Sequence, residues 1–157
     1  MKYNRFFVKS YLAVFLICFL CSCKGGNEEQ LPVDFVWDRV ACEECKMALS
    51  DHHYSVQVID SHGKAFFFDD IGCAIIWLAR QPKKENGRVW VNDFQTGQWI
   101  DAETANWIYG DPKTPMGYGF AATSSPVEKK MDFQTVTKWM VIGKHLVNEN
   151  LSKHLDE

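Results

Sequence analysis

Hydrophobic and polar positions divide the chain into stretches of distinct texture. Lys2, Arg5 and Lys9 are followed by an unbroken apolar run from Tyr11 to Leu20. That run is about half of the ~20 residues needed to cross a bilayer, so it reads as an export signal. Further on the texture alternates. Tyr54-Ser-Val-Gln-Val-Ile59 has the two-residue period of a half-buried strand, Asp60-Ser-His-Gly63 is a turn, and Lys64 to Phe68 is a second β-prone run. Together they predict a hairpin. The period then lengthens: Ile71, Ile75 and Leu78 share one face of a helix predicted over 71–80, with Asp69 or Asp70 as its cap.

Residues 81–87 form a charged loop, and Arg88 to Asp93 is another strand. A turn over Gln95–Gln98 precedes Trp99-Ile100. Asp101 to Tyr109 supports either a short helix or a strand. Gly110 to Pro115 is a loop, and Gly117 to Ala122 returns to the sheet. Pro126 opens a last helical region, with Phe133, Val136, Trp139 and Gly143 at helical spacing. Strands and helices thus come in two strand–strand–helix passes, the signature of a single α+β domain with a duplicated unit.

The end of the apolar run changes where this domain is expected to reside. Leu20-Cys21-Ser22-Cys23 resembles a bacterial lipobox, in which the last cysteine carries lipid. The expected organisation is a lipoprotein signal over 1–22, a lipidated polar tether over 23–35 and a folded domain over 36–157. The domain would be held at the bacterial cell envelope, facing the periplasm or exterior. The chain has 17 basic and 20 acidic residues. Loss of Lys2, Arg5 and Lys9 with the signal doubles the acidic excess, which argues against a nucleic-acid partner.

Six cysteines are present, but Cys18 and Cys21 leave with the signal and Cys23 takes lipid. Cys42, Cys45 and Cys73 remain, an odd number for a compartment in which disulfides form. The pair in Ala41-Cys-Glu-Glu-Cys-Lys-Met47 can be a disulfide, a redox dithiol or a metal knuckle. Zinc normally asks for four Cys or His ligands, and no second C-x-x-C accompanies the first. A thioether at Met47 adds little for zinc but suits Cu(I), as thiolates do. Met116, in Thr-Pro-Met-Gly-Tyr-Gly119, follows a stiff proline and precedes permissive glycines, so it can be presented to a site. Cys73, His52 and His53 are possible additional donors; their plainer readings are a small buried hydrophobe and a solvated loop pair. No Ser–His–Asp set, P-loop or acid/base carboxylate pair is visible, so an enzyme is not expected.

Four stretches in order resemble the nitrous oxide reductase accessory proteins, the NosL-like lipoproteins: Cys42-Glu-Glu-Cys-Lys-Met47, Phe68-Asp-Asp-Ile-Gly-Cys73, Trp99-Ile-Asp-Ala102 and Thr114-Pro-Met-Gly-Tyr-Gly119. The resemblance spans roughly Asp38 to Ala122. It implies a treble-clef-like α+β domain and a lipid-anchored Cu(I) chaperone. The client would be an extracytoplasmic cuproenzyme, nitrous oxide reductase first, or its assembly machinery. It also puts metal-ligand roles on Cys42, Cys45, Met47 and Met116. The alternatives are a dithiol oxidoreductase using Cys42 and Cys45, and an interaction domain without metal. One departure stands out: Lys46 occupies the family's glycine position, where a positive φ would strain it by about 1 kcal/mol.

Overall fold

In a computed structural model of the protein, residues 30–82 and 87–149 are described. The export signal, Cys23 and most of the expected tether lie outside the described residues. The elements are β1 (Val56–Ile59), β2 (Ala65–Phe68), α1 (Ile71–Leu78), β3 (Arg88–Asn92), β4 (Trp99–Asp101), β5 (Asn106–Tyr109), β6 (Phe120–Thr123) and α2 (Phe133–Val141). All strand pairs are antiparallel. One sheet has the order β2-β1-β3-β4, and β5 and β6 form a second, two-stranded sheet. The chain is therefore a single α+β domain, as its alternating periods predicted, but not two strand–strand–helix passes. Four strands stand between α1 and α2, because 101–109 turns into β5, which pairs with β6 in a separate sheet. No helix among the described residues is long and apolar enough to cross a membrane.

The hairpin follows from its turn. Asp60 accepts the amides of His62 and Lys64 through Oδ1, and Gly63 takes a φ of +80° that few other residues tolerate. Pairing of Val56 with Phe68 and of Ile59 with Ala65 sets the register. Val56, Val58, Phe66 and Phe68 then lie on one face, joined by Val89 and Val91 of β3. Onto this face packs α1, whose Ile71, Ala74 and Ile75 are buried and whose Trp77 rests on Phe66 and Phe68.

The opposite face is covered by the segment entering the domain. Gln57 is fully buried there, and its amide accepts from Val33 N–H and donates to Val33 C=O at 2.9 and 3.0 Å. Gln30 donates to the Asp60 carbonyl, while the Trp90 indole donates to the Gln30 carbonyl. Phe35 packs on Phe67, Trp99 and Trp37. Residues 30–35, part of the expected tether, are thus bonded to the sheet.

The ambiguous stretch 101–109 contains both a turn and a strand. Asp101 ends β4 and caps a turn by accepting Glu103 N–H through its side chain and Ala105 N–H through its carbonyl. β5 follows, with Trp107 fully buried and its indole bonded to the Ala102 carbonyl. Pro126 opens no helix. Met131 instead exchanges two backbone hydrogen bonds with Trp107, holding the chain extended until Asp132 caps α2. Asp93 joins the two sheets: its Oδ2 accepts from Thr123 and twice from Ser124, and Phe94 N–H reaches the Ala122 carbonyl.

Candidate metal centre

Residues 40–49 form a tight knuckle. Ala41 and Ala48 bridge antiparallel, Leu49 N–H donates to Val40 C=O, and Cys42 N–H donates to Met47 C=O at 2.8 Å. The turn closes when Lys46 N–H donates to Cys42 C=O. This geometry forces Lys46 to a φ of +63°, the left-handed region where a side chain is strained. Its ammonium curls back to the Glu43 carbonyl at 2.6 Å and lies 3.5 Å from the Glu43 carboxylate. The expected strain at the family's glycine position is therefore present.

Two links fix the knuckle to the rest of the domain. Glu43 N–H donates to Phe67 C=O of β2 at 2.9 Å, and Glu44 pairs with Arg80 just past the end of α1. The result brings Cys42 and Cys45 to the first turn of α1, where Cys73 lies. The three Sγ atoms are all within 4.8 Å of one another, and all three cysteines are free. Cys42 and Cys73 are buried, while Cys45 is half-buried and Met47 beside it is 53% exposed.

The start of α1 is built around one carboxylate. Asp70 is buried; its Oδ1 accepts Gly72 and Cys73 amides at 2.8 and 3.2 Å, and its Oδ2 accepts the Met116 amide at 3.1 Å. The same side chain caps the helix bearing Cys73 and anchors the loop bearing Met116. Tyr118 of that loop packs against Gly72: a Cβ added there would come within 2.1 Å of the ring. His145 meets the Tyr118 ring edge-on and is 8% exposed, with no partner for its Nδ1.

The thiols do not titrate alike. A hydrogen bond from Cys73 holds Cys42 well below a free thiol, helped by the Cys45 amide 3.4 Å from its sulfur. The same bond, with burial, pushes Cys73 up, and burial raises Cys45. Burial also raises Asp69 and Asp70 to about 6, and the Cys42 sulfur adds to the effect at Asp69. The site thus offers one readily ionised sulfur and two that keep their protons until a cation displaces them.

His52 and His53 are placed elsewhere. His52 stacks on Trp37 with ring centroids 3.9 Å apart, and the His53 ring contacts the Phe94 carbonyl. Neither belongs to the cysteine group. Tyr118 and His145 behind it were not singled out from the sequence. Their signal was an aromatic between two glycines next to Met116, and nothing local ties His145 to it.

Three thiols at this spacing suit one soft ion. Metal–thiolate bonds of ~2.3 Å place sulfurs ~4.0 Å apart around a trigonal ion and ~4.6 Å apart across a linear one. Both distances lie below the 4.8 Å that bounds the separations of the three sulfurs.

In solved structures, the crystal structure of the copper chaperone NosL from Shewanella denitrificans aligns with a TM-score of 0.52 and 13% identity, over 73% of this chain and 89% of that one. At that identity the match speaks for the fold. No curated protein sequence matches the chain significantly. The sequence model of the NosL family matches residues 33–142, a span that contains the knuckle, the capped start of α1 and the Met116 loop. The chain belongs to the NosL family.

Proposed function

We propose that this protein carries Cu(I) outside the cytoplasm, held at the cell envelope by lipid on Cys23, and passes copper to a cuproenzyme. Nitrous oxide reductase is the first client to test. The observation that carries this reading is the convergence of Cys42, Cys45 and Cys73, three soft donors, beside an exposed methionine. Domain boundaries follow the same reading: a signal over 1–22, the lipidated lead over 23–35 and the carrier domain over 36–157. Knuckle, β1–β2 hairpin and α1 follow one another in treble-clef-like order.

Binding and release need different properties, and the site supplies both. Cys42 and Cys73 are buried and give retention. Cys45 and Met47 are reachable from solvent, so an incoming ligand can attack there before the last sulfur lets go. Met116 is held against the helix cap by Asp70 and supplies a further soft donor from the opposite loop. The proposed ligand set is Cys42, Cys45, Met47 and Met116, joined by Cys73, whose sulfur lies within 4.8 Å of the other two thiols.

The depressed Cys42 thiol also favours a second reading, a dithiol oxidoreductase using Cys42 and Cys45. Anaerobic titration of the reduced protein with Cu(I) against a chromophoric competitor separates the two. The carrier reading expects about one tightly held ion per chain, with weaker retention in Cys45→Ser and Met116→Leu. Failure to compete, together with turnover of a disulfide substrate by the metal-free protein, would replace it with the oxidoreductase.

A further inference from the structure

Of the six exposed large hydrophobic side chains among the described residues, Met47, Val141 and Ile142 lie elsewhere and three gather in one short segment. Leu31, Val33 and Val36 are 49, 38 and 68% exposed, and they lie in residues 30–37, which cross the outer face of the first sheet. One side of this segment is committed to the sheet through Gln57, Trp90, Phe67 and Trp99. Among the described residues, nothing covers the other side. Half-buried Phe35 and Trp37 flank the exposed residues and stack on Trp99 and His52. Apolar side chains ringed by half-buried tryptophans suit the interface of a bilayer, where indole rings sit at headgroup depth.

The chain's own connectivity names the occupant. Six residues lie between Cys23 and Gln30, and the seven steps span at most ~25 Å even when fully extended. A lipid on Cys23 therefore holds this face within reach of the membrane surface. The acidic excess of the chain gives no electrostatic pull toward anionic lipid, so contact would be apolar and insensitive to salt.

We propose that the ridge formed by Leu31, Val33 and Val36 rests in the lipid interface, so that the domain lies against the bilayer with its outer sheet face down. This rests on the reading that Cys23 carries lipid. The anchor then fixes orientation as well as location: the domain presents its metal centre to a partner from a set height and angle.

The test uses the lipidated full chain in vesicles of phosphatidylethanolamine and phosphatidylglycerol, with and without bromine on the upper acyl chain. Bromine quenches nearby indoles, and three of the six tryptophans (Trp37, Trp90 and Trp99) belong to this face. The expected result is loss of up to about half of the tryptophan emission, unchanged at high salt. In a Leu31→Asp/Val33→Asp/Val36→Asp variant the protein still floats with the vesicles but the quenching disappears. Acylated protein that floats yet stays unquenched overturns the docking while leaving the anchor in place. Unquenched protein that cross-links to itself through this face overturns it in favour of a second copy. Protein whose mass lacks the acyl group, and which does not float, overturns the anchor and the docking together.

Discussion

The three thiols reach one point from two supports of opposite kind. Cys73 stands on a helix whose first turn is buried, capped by Asp70 and packed under Tyr118. Cys42 and Cys45 stand on a short knuckle held by backbone bonds, a strained Lys46 and surface ion pairs. Surface pairs contribute ~0–1 kcal/mol each, so the knuckle is the softer support. For the proposed carrier this asymmetry is useful: buried Cys73 on its capped helix and buried Cys42 hold the ion, while half-buried Cys45 on the softer knuckle can move with an exchanging ligand.

The largest test removes the rigid side. Asp70→Ala loses the acceptor for two cap amides and for Met116 N–H, and should cost ~3 kcal/mol of stability in urea unfolding. It should also weaken Cu(I) retention, since Cys73 and Met116 lose their common anchor. If unfolding is unchanged, the helix start does not depend on this carboxylate and the contrast fails.

A smaller effect comes from the packing above that helix. Gly72→Ala drives a methyl into the Tyr118 ring, and repacking should cost ~2 kcal/mol. The knuckle predicts the reverse sign. Lys46→Gly relieves a φ of +63° and should stabilise the metal-free protein by ~1 kcal/mol, despite the lost Glu43 contacts. A destabilised Lys46→Gly would mean that those contacts, and not the backbone, decide the turn.

The smallest effect concerns the far side of Tyr118. Burial holds His145 below its ordinary 6.5, against the pull of Glu149. As pH falls below that value the unfolded chain takes up a proton that the folded chain resists, so stability drops on acidification. His145→Gln should show a shallower loss than the parent between about pH 7 and about pH 5. Equal slopes would show that the imidazole titrates alike in both states.

How much could be read from the letters follows the same division. The helix side was legible because its signals are local: alternation over 54–68, a turn at Gly63 and an aspartate before an apolar face. The choice between Asp69 and Asp70 as cap needed the structure. The pair Cys42–Cys45 was visible from spacing, and Lys46 from the glycine it replaces. Cys73 was legible only as one of three possible additional donors, because its joining to that pair depends on Glu43 N–H meeting the Phe67 carbonyl across 24 residues. The late start of α2 was hidden for a similar reason: Met131 is claimed by Trp107, a partner far back in the chain. Asp101–Tyr109 misled neither way; it holds a turn and a strand too short to show a period.

The two bonds between Val33 and the Gln57 side chain have a kinetic consequence. A true strand is released only when its whole ladder opens, but a segment held by the Gln57 amide, the Gln30 and Trp90 bonds and Phe35 packing can lift while β1 stays paired. The lead into the domain is thus a separate opening unit, and its amides should exchange hydrogen ahead of those in the sheet beneath. Force or crowding acting on the lead from its N-terminal side would then be absorbed by this seam before it reached the cysteines.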